Sequence, residues 1–149
     1  MAILSNETIQ LGEFEDVKAT GFQLEAGAYR FKVTQVEYSH KVVEKKDGTG
    51  TTDMYIASYK LTPTGSGDPQ LPPECYLGRV VTFDLVGGTQ QELVGKIATF
   101  IRDAKLSVES VGKPQNHVNE LVDQEFNALY NYDNKGYGRI NAPSLRRVN

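Results

Sequence analysis

The chain has 149 residues and a formal net charge of −3, with 39% hydrophobic and 23% charged residues. This length suits one domain with a single core, and the composition is too apolar for an intrinsically disordered protein. A single cysteine, Cys75, excludes an internal disulfide and favours a reducing compartment. The sequence contains neither a signal-peptide pattern nor an apolar run long enough to span a bilayer, so we expect a cytoplasmic protein.

Charge divides the chain into three parts. Residues 1–26 carry five acidic residues against Lys18 alone, which predicts an acidic N-terminal lead-in. Residues 143–149 contain two arginines and no acidic residue, which predicts a basic C-terminal tail. We expect residues 27–142, between these segments, to form the folded domain.

The first clear strand begins at Ala28, with apolar residues at odd-numbered positions as far as Val33. The apolar positions then change to even numbers, at Val36 and Tyr38. A strand of period two can make this change only through a bulge or bend, which we expect near Thr34. The pattern therefore predicts a bent first strand.

The next segments alternate between loop and strand patterns. Residues 40–53 combine three lysines with two glycines and predict a basic hairpin loop. A second strand is expected at 54–62 and a third at 78–86. Residues 63–75, between them, hold four prolines and two glycines, which predict a surface loop.

A helix follows the third strand. Thr89 and Glu92 have the spacing of a capping box, and an apolar stripe that includes Leu93 and Ile97 continues to Leu106. Since the stripe is one-sided, we expect the helix from Thr89 to Leu106 to cover a sheet.

The remaining elements are short. His117–Val122 is consistent with one further helical turn, and the alternation from Phe126 to Tyr132 predicts a fourth strand. Asp133-Asn134-Lys135-Gly136 is typical of a turn that leads into a last strand at Tyr137–Asn141.

The order of these elements predicts a mainly β protein with one α-helix. Five strands with a helix after the third are typical of the five-stranded OB-fold barrel, and a bent first strand strengthens the match. A small barrel or sandwich of another topology remains open on this pattern alone.

The sequence offers few groups for catalysis. His40 and His117 have no second histidine or cysteine at metal-ligand spacing, so no metal site is predicted. The glycines form no phosphate-cradling motif, and Cys75 has no nucleophile signature. We therefore predict a non-catalytic protein without a cofactor.

Aromatic and basic residues instead favour a binding function. Phe31, Phe83, Phe100 and Phe126 fall on the expected core faces, whereas several tyrosines are interleaved with lysines and arginines. Proteins that bind single-stranded nucleic acids need cations for the backbone and aromatic faces for the bases. The candidate nucleic-acid-binding residues are Arg30, Lys32, Tyr38, Lys41, Lys45, Lys46, Tyr55, Tyr59, Lys60, Tyr132, Lys135, Tyr137 and Arg139. Each of these tyrosines could equally be a half-buried strand residue.

Five runs along the chain, at 25–33, 77–85, 93–106, 126–132 and 137–141, together resemble small bacteriophage single-stranded-DNA-binding proteins with an OB-fold. Their order spans roughly residues 20–145. The resemblance implies that the protein binds displaced single strands during phage DNA replication, recombination or repair, in the cytoplasm of the host cell. It also implies phage replication or recombination proteins as partners.

Two alternatives stay open at this point. One is a phage structural or assembly protein that forms homo-oligomers through the same β domain, with tyrosines filling the interfaces. The other is a small-ligand or carbohydrate binder built on the same barrel.

Overall fold

A computed structural model describes residues 24–109 and 119–149. Its five strands form one antiparallel sheet in the order β3-β2-β1-β4-β5, and its main helix follows the third strand. The prediction of a mainly β, OB-like fold is confirmed. The sheet curls as an incomplete barrel, because no hydrogen-bonded pairing joins its edge strands β3 and β5 in the described residues.

Strand β1, Gly27–Glu44, bends where the sequence predicts it. Val33 pairs with Leu61 of β2, but the next pairing is between Gln35 and Lys60, which leaves Thr34 as the extra residue of a bulge. The bulge shifts the alternation by one position, so Val33 and Val36 both face the inner side of the sheet.

Strand β2, Thr51–Ser66, is longer at both ends than the sequence predicts. Residues 41–44 pair with 51–54, so the predicted loop at 40–53 shrinks to a tight turn at residues 45–50. Polar residues can continue these strands because a ladder needs only backbone groups, and most of the side chains here are exposed to water. We call the β1–β2 hairpin after the bulge, residues 36–58, the arm; residues 55–58 at its base still pair with β3.

Pro63 marks a second difference, because β2 continues through the predicted loop at 63–75 as far as Ser66. The register shifts at this point. Phe31 pairs with Pro63, whereas Arg30 pairs with Gly65. A proline lacks the N–H that a regular ladder requires, and a bulge is one of the few places where a sheet accepts it. The connection to β3 is formed by residues 67–80, which include a short 3₁₀ turn at Pro73–Cys75 and the first three residues, 78–80, of the predicted third strand.

Strand β3, Val81–Gly87, leads directly into helix α1, Gln90–Ala104. The predicted capping box forms: the Glu92 amide donates to the Thr89 hydroxyl at 3.0 Å, and the Glu92 carboxylate accepts from the Gly88 amide at 3.3 Å. The strand-to-helix turn is tight. A Cβ on Gly87 would lie 2.8 Å from the backbone nitrogen of Leu93, so this position requires glycine.

Strands β4, Glu125–Tyr132, and β5, Gly138–Asn141, form the predicted last hairpin. The segment 143–149, expected as a basic tail, instead forms the short helix α2, Ser144–Val148, and buries Leu145. The Asn149 side chain joins this helix to β4 by bonds to the backbone N–H and C=O of Asn127, at 2.9 and 2.6 Å. Charge alone did not reveal these contacts.

Other predicted segments lie wholly or partly outside the described residues. Only residues 24–26 of the acidic lead-in are described, and the further helical turn expected at 117–122 is described only from residue 119. None of the described helices is long and apolar enough to cross a membrane.

An aromatic cluster forms the centre of the core. The four phenylalanines predicted to be inside are all buried. The ring of Phe100 from α1 packs edge-on against that of Phe126 of β4, with centroids 5.4 Å apart, and its centroid lies 5.1 Å from that of Phe83 of β3. Leu93 and Ile97, the predicted apolar stripe of α1, are fully buried against the sheet. The helix therefore closes the inner side of the barrel, and ligands can reach the sheet from its other side.

Candidate nucleic-acid interface

The side of β1–β3 that points away from the core is the surface left open by this packing, and we call it the outer face. Lys32 and Lys60 lie on it because they alternate with the buried residues of β1 and β2. Thr82 and Asp84 of β3 continue it, since Lys60 pairs with Thr82 and Ser58 pairs with Asp84. Lysines and short polar side chains therefore occupy the centre of the outer face.

The candidate tyrosines of β1 and β2 do not lie beside the candidate lysines. Tyr38 and Tyr55 point to the inner side of the sheet, whereas Lys41 and Lys60 point to the outer side. The spacings decide this result, because residues separated by an odd number of positions on a regular strand occupy opposite faces. Tyrosines and lysines that are interleaved in the sequence of these strands therefore lie on opposite faces of the sheet.

Tyr59 is a core residue, which corrects its prediction as a base-stacking side chain. Its relative exposure is 0%, and its ring lies 5.0 Å from that of Phe100 and 6.1 Å from that of Phe83. Burial raises the pKa of its hydroxyl. A base cannot reach a ring that is enclosed in this way.

Tyr55 is half-buried and has one ring face occupied. The imidazole of His40 stacks on it with ring centroids 4.2 Å apart and an interplanar angle of 2°. His40 Nε2 in turn lies 2.9 Å from Asp53 Oδ1. Tyr38 is also half-buried, on the same inner side of the arm. These tyrosines form a surface separate from the outer face.

The candidate cations fall into two groups. Arg30, Lys32 and Arg139 have acidic neighbours: Arg30 Nε lies 2.6 Å from Glu125, Lys32 Nζ lies 4.0 Å from Asp123, and Arg139 Nε lies 3.1 Å from Asp133. A second group is exposed and makes no ion pair with any described residue. Its members are Lys41, Lys45, Lys46, Lys60 and Lys135.

The β4–β5 hairpin is organised by one carboxylate. Asp133 accepts from the backbone N–H groups of Lys135 and Tyr137 at 2.9 and 3.0 Å, and from Arg139 Nε at 3.1 Å. These bonds, first among them the one from the Tyr137 amide, hold the pKa of Asp133 below its ordinary value. The turn thereby fixes the backbone that carries Tyr137 and Arg139.

The two tyrosines of this hairpin have different surroundings. Tyr132 is half-buried, because its ring packs edge-on against Tyr130 at 5.5 Å and its hydroxyl donates to the backbone carbonyl of Leu24. Burial raises the pKa of its hydroxyl. Tyr137 is 64% exposed and is the one aromatic side chain among the described residues whose surface is mainly accessible.

Tyr137 lies beside a groove of about 390 Å³ between the edge strands β3 and β5, which we call the seam. Thr82 and Asp84 form the β3 side of the seam, and Arg139 and Ile140 form part of the β5 side. The seam exists because the barrel is not closed by strand pairing at this point. It joins the outer face of β3 to the β4–β5 hairpin.

No family model, curated protein or solved structure matches the chain. Functional inference therefore depends on the geometry of the outer face and the seam. In residues 24–109 and 119–149, no three histidine, cysteine, aspartate or glutamate side chains lie close enough together to hold a metal ion.

The structure brings Lys60, Tyr137 and Arg139 to one continuous surface, with Lys45 and Lys46 at the tip of the arm and Lys135 on the other hairpin. It adds residues that the sequence reasoning missed: Ser58, Ile56, Thr82, Asp84 and Val86 on the outer side of β2 and β3. Their alternation with buried residues was visible in the sequence. Only the strand pairing shows that they lie between the two lysine-bearing hairpins.

Proposed function

We propose that the protein is a non-catalytic single-stranded-DNA-binding protein that holds the strand across the outer face of β2 and β3. The observation that carries the proposal is the position of this face between two lysine-bearing hairpins on an OB-like sheet. The outer side of strands 2 and 3, with the loops that flank it, is the surface that OB-folds use for oligonucleotides.

Cations along this surface are suited to a phosphate backbone. Lys60 lies at its centre, and Lys41 lies on the same face about 20 Å away, because its partner Met54 is six residues from Lys60 along β2. Lys45 and Lys46 extend this line to the tip of the arm. A single strand that follows the line contacts exposed ammonium groups without breaking an existing ion pair.

The exposed ring of Tyr137 supplies a stacking surface for a base at the other end of the face. A base stacked on an aromatic side chain contributes about 1 to 3 kcal/mol with little dependence on sequence. Since the seam beside Tyr137 is lined by Thr82, Asp84 and Arg139, its polar groups are available to the edge of that base.

Acidic residues on the outer face affect the expected salt dependence of DNA binding. Glu37 and Asp84 lie among the lysines, so the net positive charge along the face is small. Affinity should therefore fall with salt, but with a modest slope, since the phosphates neutralised are few. For single strands, the slope of log K against log salt is about −0.7 for each phosphate neutralised.

A fluorescence anisotropy titration with labelled oligo-dT, repeated over a series of salt concentrations, tests the proposal. We expect salt-sensitive binding with little sequence preference. Binding to duplex DNA but not to single strands at low salt, or competition by an oligosaccharide for the same site, would refute it.

A matched pair of charge reversals locates the site. Lys45→Glu with Lys46→Glu should abolish most of the binding, whereas Lys105→Glu with Arg147→Glu, at the C-terminal end of α1 and on α2, should leave it nearly unchanged. Both double variants alter the net charge by the same amount, so a difference between them reports position. Equal losses would show that only the overall charge matters.

The resemblance to phage single-stranded-DNA-binding proteins supports a role in phage DNA replication, recombination or repair in the host cytoplasm. Such a role includes protection of displaced strands and contact with replication or recombination proteins.

A further inference from the structure

One edge of the arm pairs with no other strand among residues 24–109 and 119–149. Pairing of β1 with β4 ends at Lys32, and the backbone of Val33 makes the last bonds on that side, with Asp123 and Gln124 at 2.8 and 2.9 Å. From Val36 to Glu44, β1 pairs with β2 alone within the described residues. An open strand edge of this length is a template for pairing with another strand.

The side chains along this edge are also accessible. Val42 is 62% exposed, and the side chain of His40 is 44% exposed. Glu37 and Lys41 are exposed on the opposite side of the strand, and neither makes an ion pair with a described residue. Both faces of the edge therefore offer contacts to an added strand.

We propose that a second copy of the chain adds its own β1 to this edge, in an antiparallel pairing centred on Ser39. The pairing extends the sheet across a two-fold axis and makes a closed dimer, because the same edge is used by both copies. It forms without nucleic acid, so its test does not depend on the proposed DNA-binding function, although Lys41 belongs to both surfaces.

Backbone geometry restricts the registers available to such a dimer. Directly opposed residues of an antiparallel pair direct their N–H and C=O groups either towards each other or both away. Neighbouring residues of one strand direct these groups to opposite edges, so two opposed residues must be an even number of positions apart in the sequence. The two-fold axis therefore passes through a residue, not between two residues. The registers that fit the open edge are therefore few.

Among these, the register centred on Ser39 matches chemistry on both faces. Its opposed pairs, each formed twice by symmetry, are Glu37 with Lys41, Tyr38 with His40, and Val36 with Val42. The first pair joins opposite charges on the outer side, and the other two join aromatic and apolar groups on the inner side. Opposed pairs of these kinds stabilise antiparallel sheets.

The neighbouring registers lack this match. A pairing centred on His40 places Glu37 opposite Val43 and Glu44 opposite Val36, so the charge pairs are lost. A pairing centred on Lys41 places that lysine opposite its own copy. Like charges directly opposed on adjacent strands are destabilising.

The inner face gains a continuous aromatic row in the proposed dimer. His40 already stacks on Tyr55 of its own chain at 4.2 Å. Tyr38 of the second copy, opposite His40, extends this row to three rings, and symmetry repeats it on the other side of the axis. The half-exposed aromatic side chains of the arm thereby acquire neighbours.

Sedimentation velocity of the full chain, without nucleic acid and over a range of concentrations, tests the dimer. We expect reversible dimerisation that Glu37→Lys or Lys41→Glu alone weakens on the order of tenfold or more, since each places like charges in both symmetric pairs. The double variant Glu37→Lys with Lys41→Glu should restore it. A chain that stays monomeric, or a folded double variant that does not recover, overturns the proposal.

Cysteine crosslinking tests the register in a Cys75→Ser background. Ser39→Cys should form an intermolecular disulfide under mild oxidation, because Ser39 lies opposite itself across the axis. His40→Cys should crosslink less, and its preferential crosslinking would overturn the Ser39 register. Thr52→Cys, an exposed position on the other strand of the arm, is the matched control and should remain monomeric.

Discussion

The barrel and the arm are built from the same two strands, yet side chains on the same face of β1 are buried in the barrel and exposed in the arm. In the barrel, β1 and β2 are covered by helix α1 and by their neighbours, so Val33 is 0% exposed. In the arm, the same side of β1 presents Val42 at 62% exposure. Alternation thus determines which face a residue occupies, whereas burial depends on whether another element covers that face.

Two valines of β1 give the sharpest test of this contrast. Val33→Ala should lower the free energy of unfolding by about 2 to 3 kcal/mol, because it removes buried methyl groups and leaves a cavity. Val42→Ala should change it by less than about 0.5 kcal/mol. Urea denaturation at a concentration where the chain is monomeric measures both variants, and equal losses would contradict the packing described here.

Tyr137 extends the comparison to the tyrosines. We expect Tyr137→Ala to weaken oligo-dT binding roughly tenfold, at the lower end of the range for loss of one stacked base. Tyr137→Phe should retain nearly full affinity, because stacking requires the ring and not the hydroxyl. Anisotropy titrations of both variants distinguish these outcomes. If the alanine variant binds normally, Tyr137 is not a stacking residue.

The cap of α1 tests how strongly the barrel depends on its helical cover. Thr89→Ala removes the side-chain acceptor for the Glu92 amide and should cost about 1 kcal/mol of folding free energy. Thr89→Ser keeps a hydroxyl at this position and should cost much less. Thermal unfolding monitored by circular dichroism provides the comparison, and indistinguishable midpoints would show that the cap does not contribute.

The smallest expected effect is a local pH response of the β4–β5 hairpin. In the folded chain the pKa of Asp133 lies below its ordinary value of 3.8, chiefly because of the bond from the Tyr137 amide. Ionised Asp133 therefore stabilises the turn fully above the ordinary pKa, and this stabilisation is lost as the pH falls through the lowered pKa. Amide NMR signals of Lys135 and Tyr137 should shift over this acidic range. Asp133→Asn should abolish the dependence.

Periodicity in the sequence was sufficient for the framework of the fold. The bulge at Thr34, the helix cap at Thr89 and the four core phenylalanines all follow from local patterns that the structure confirms. Those patterns are short-range, because each depends on residues only a few positions apart in the sequence.

Features that depend on strand pairing could not be predicted in the same way. Sequence alone places Pro63 in a loop, because the bulge that lets it pair with Phe31 depends on the register of β1 and β2. Sequence alone likewise leaves Tyr59 a candidate for base stacking, because only the fold shows that Phe83 and Phe100 enclose it. The outer side of β3 was missed for the same reason. Its threonine and aspartate become part of a surface only when Lys60 is paired beside them.

The central claim is that single-stranded DNA occupies the outer face, and amide chemical-shift mapping with oligo-dT tests it most directly. The account predicts shifts concentrated at Lys60, Thr82 and Tyr137 and at the tip of the arm, with little change at the inner-side residues Tyr38 and Tyr55. Shifts concentrated on those inner tyrosines, or no shifts at saturating oligonucleotide, would contradict it.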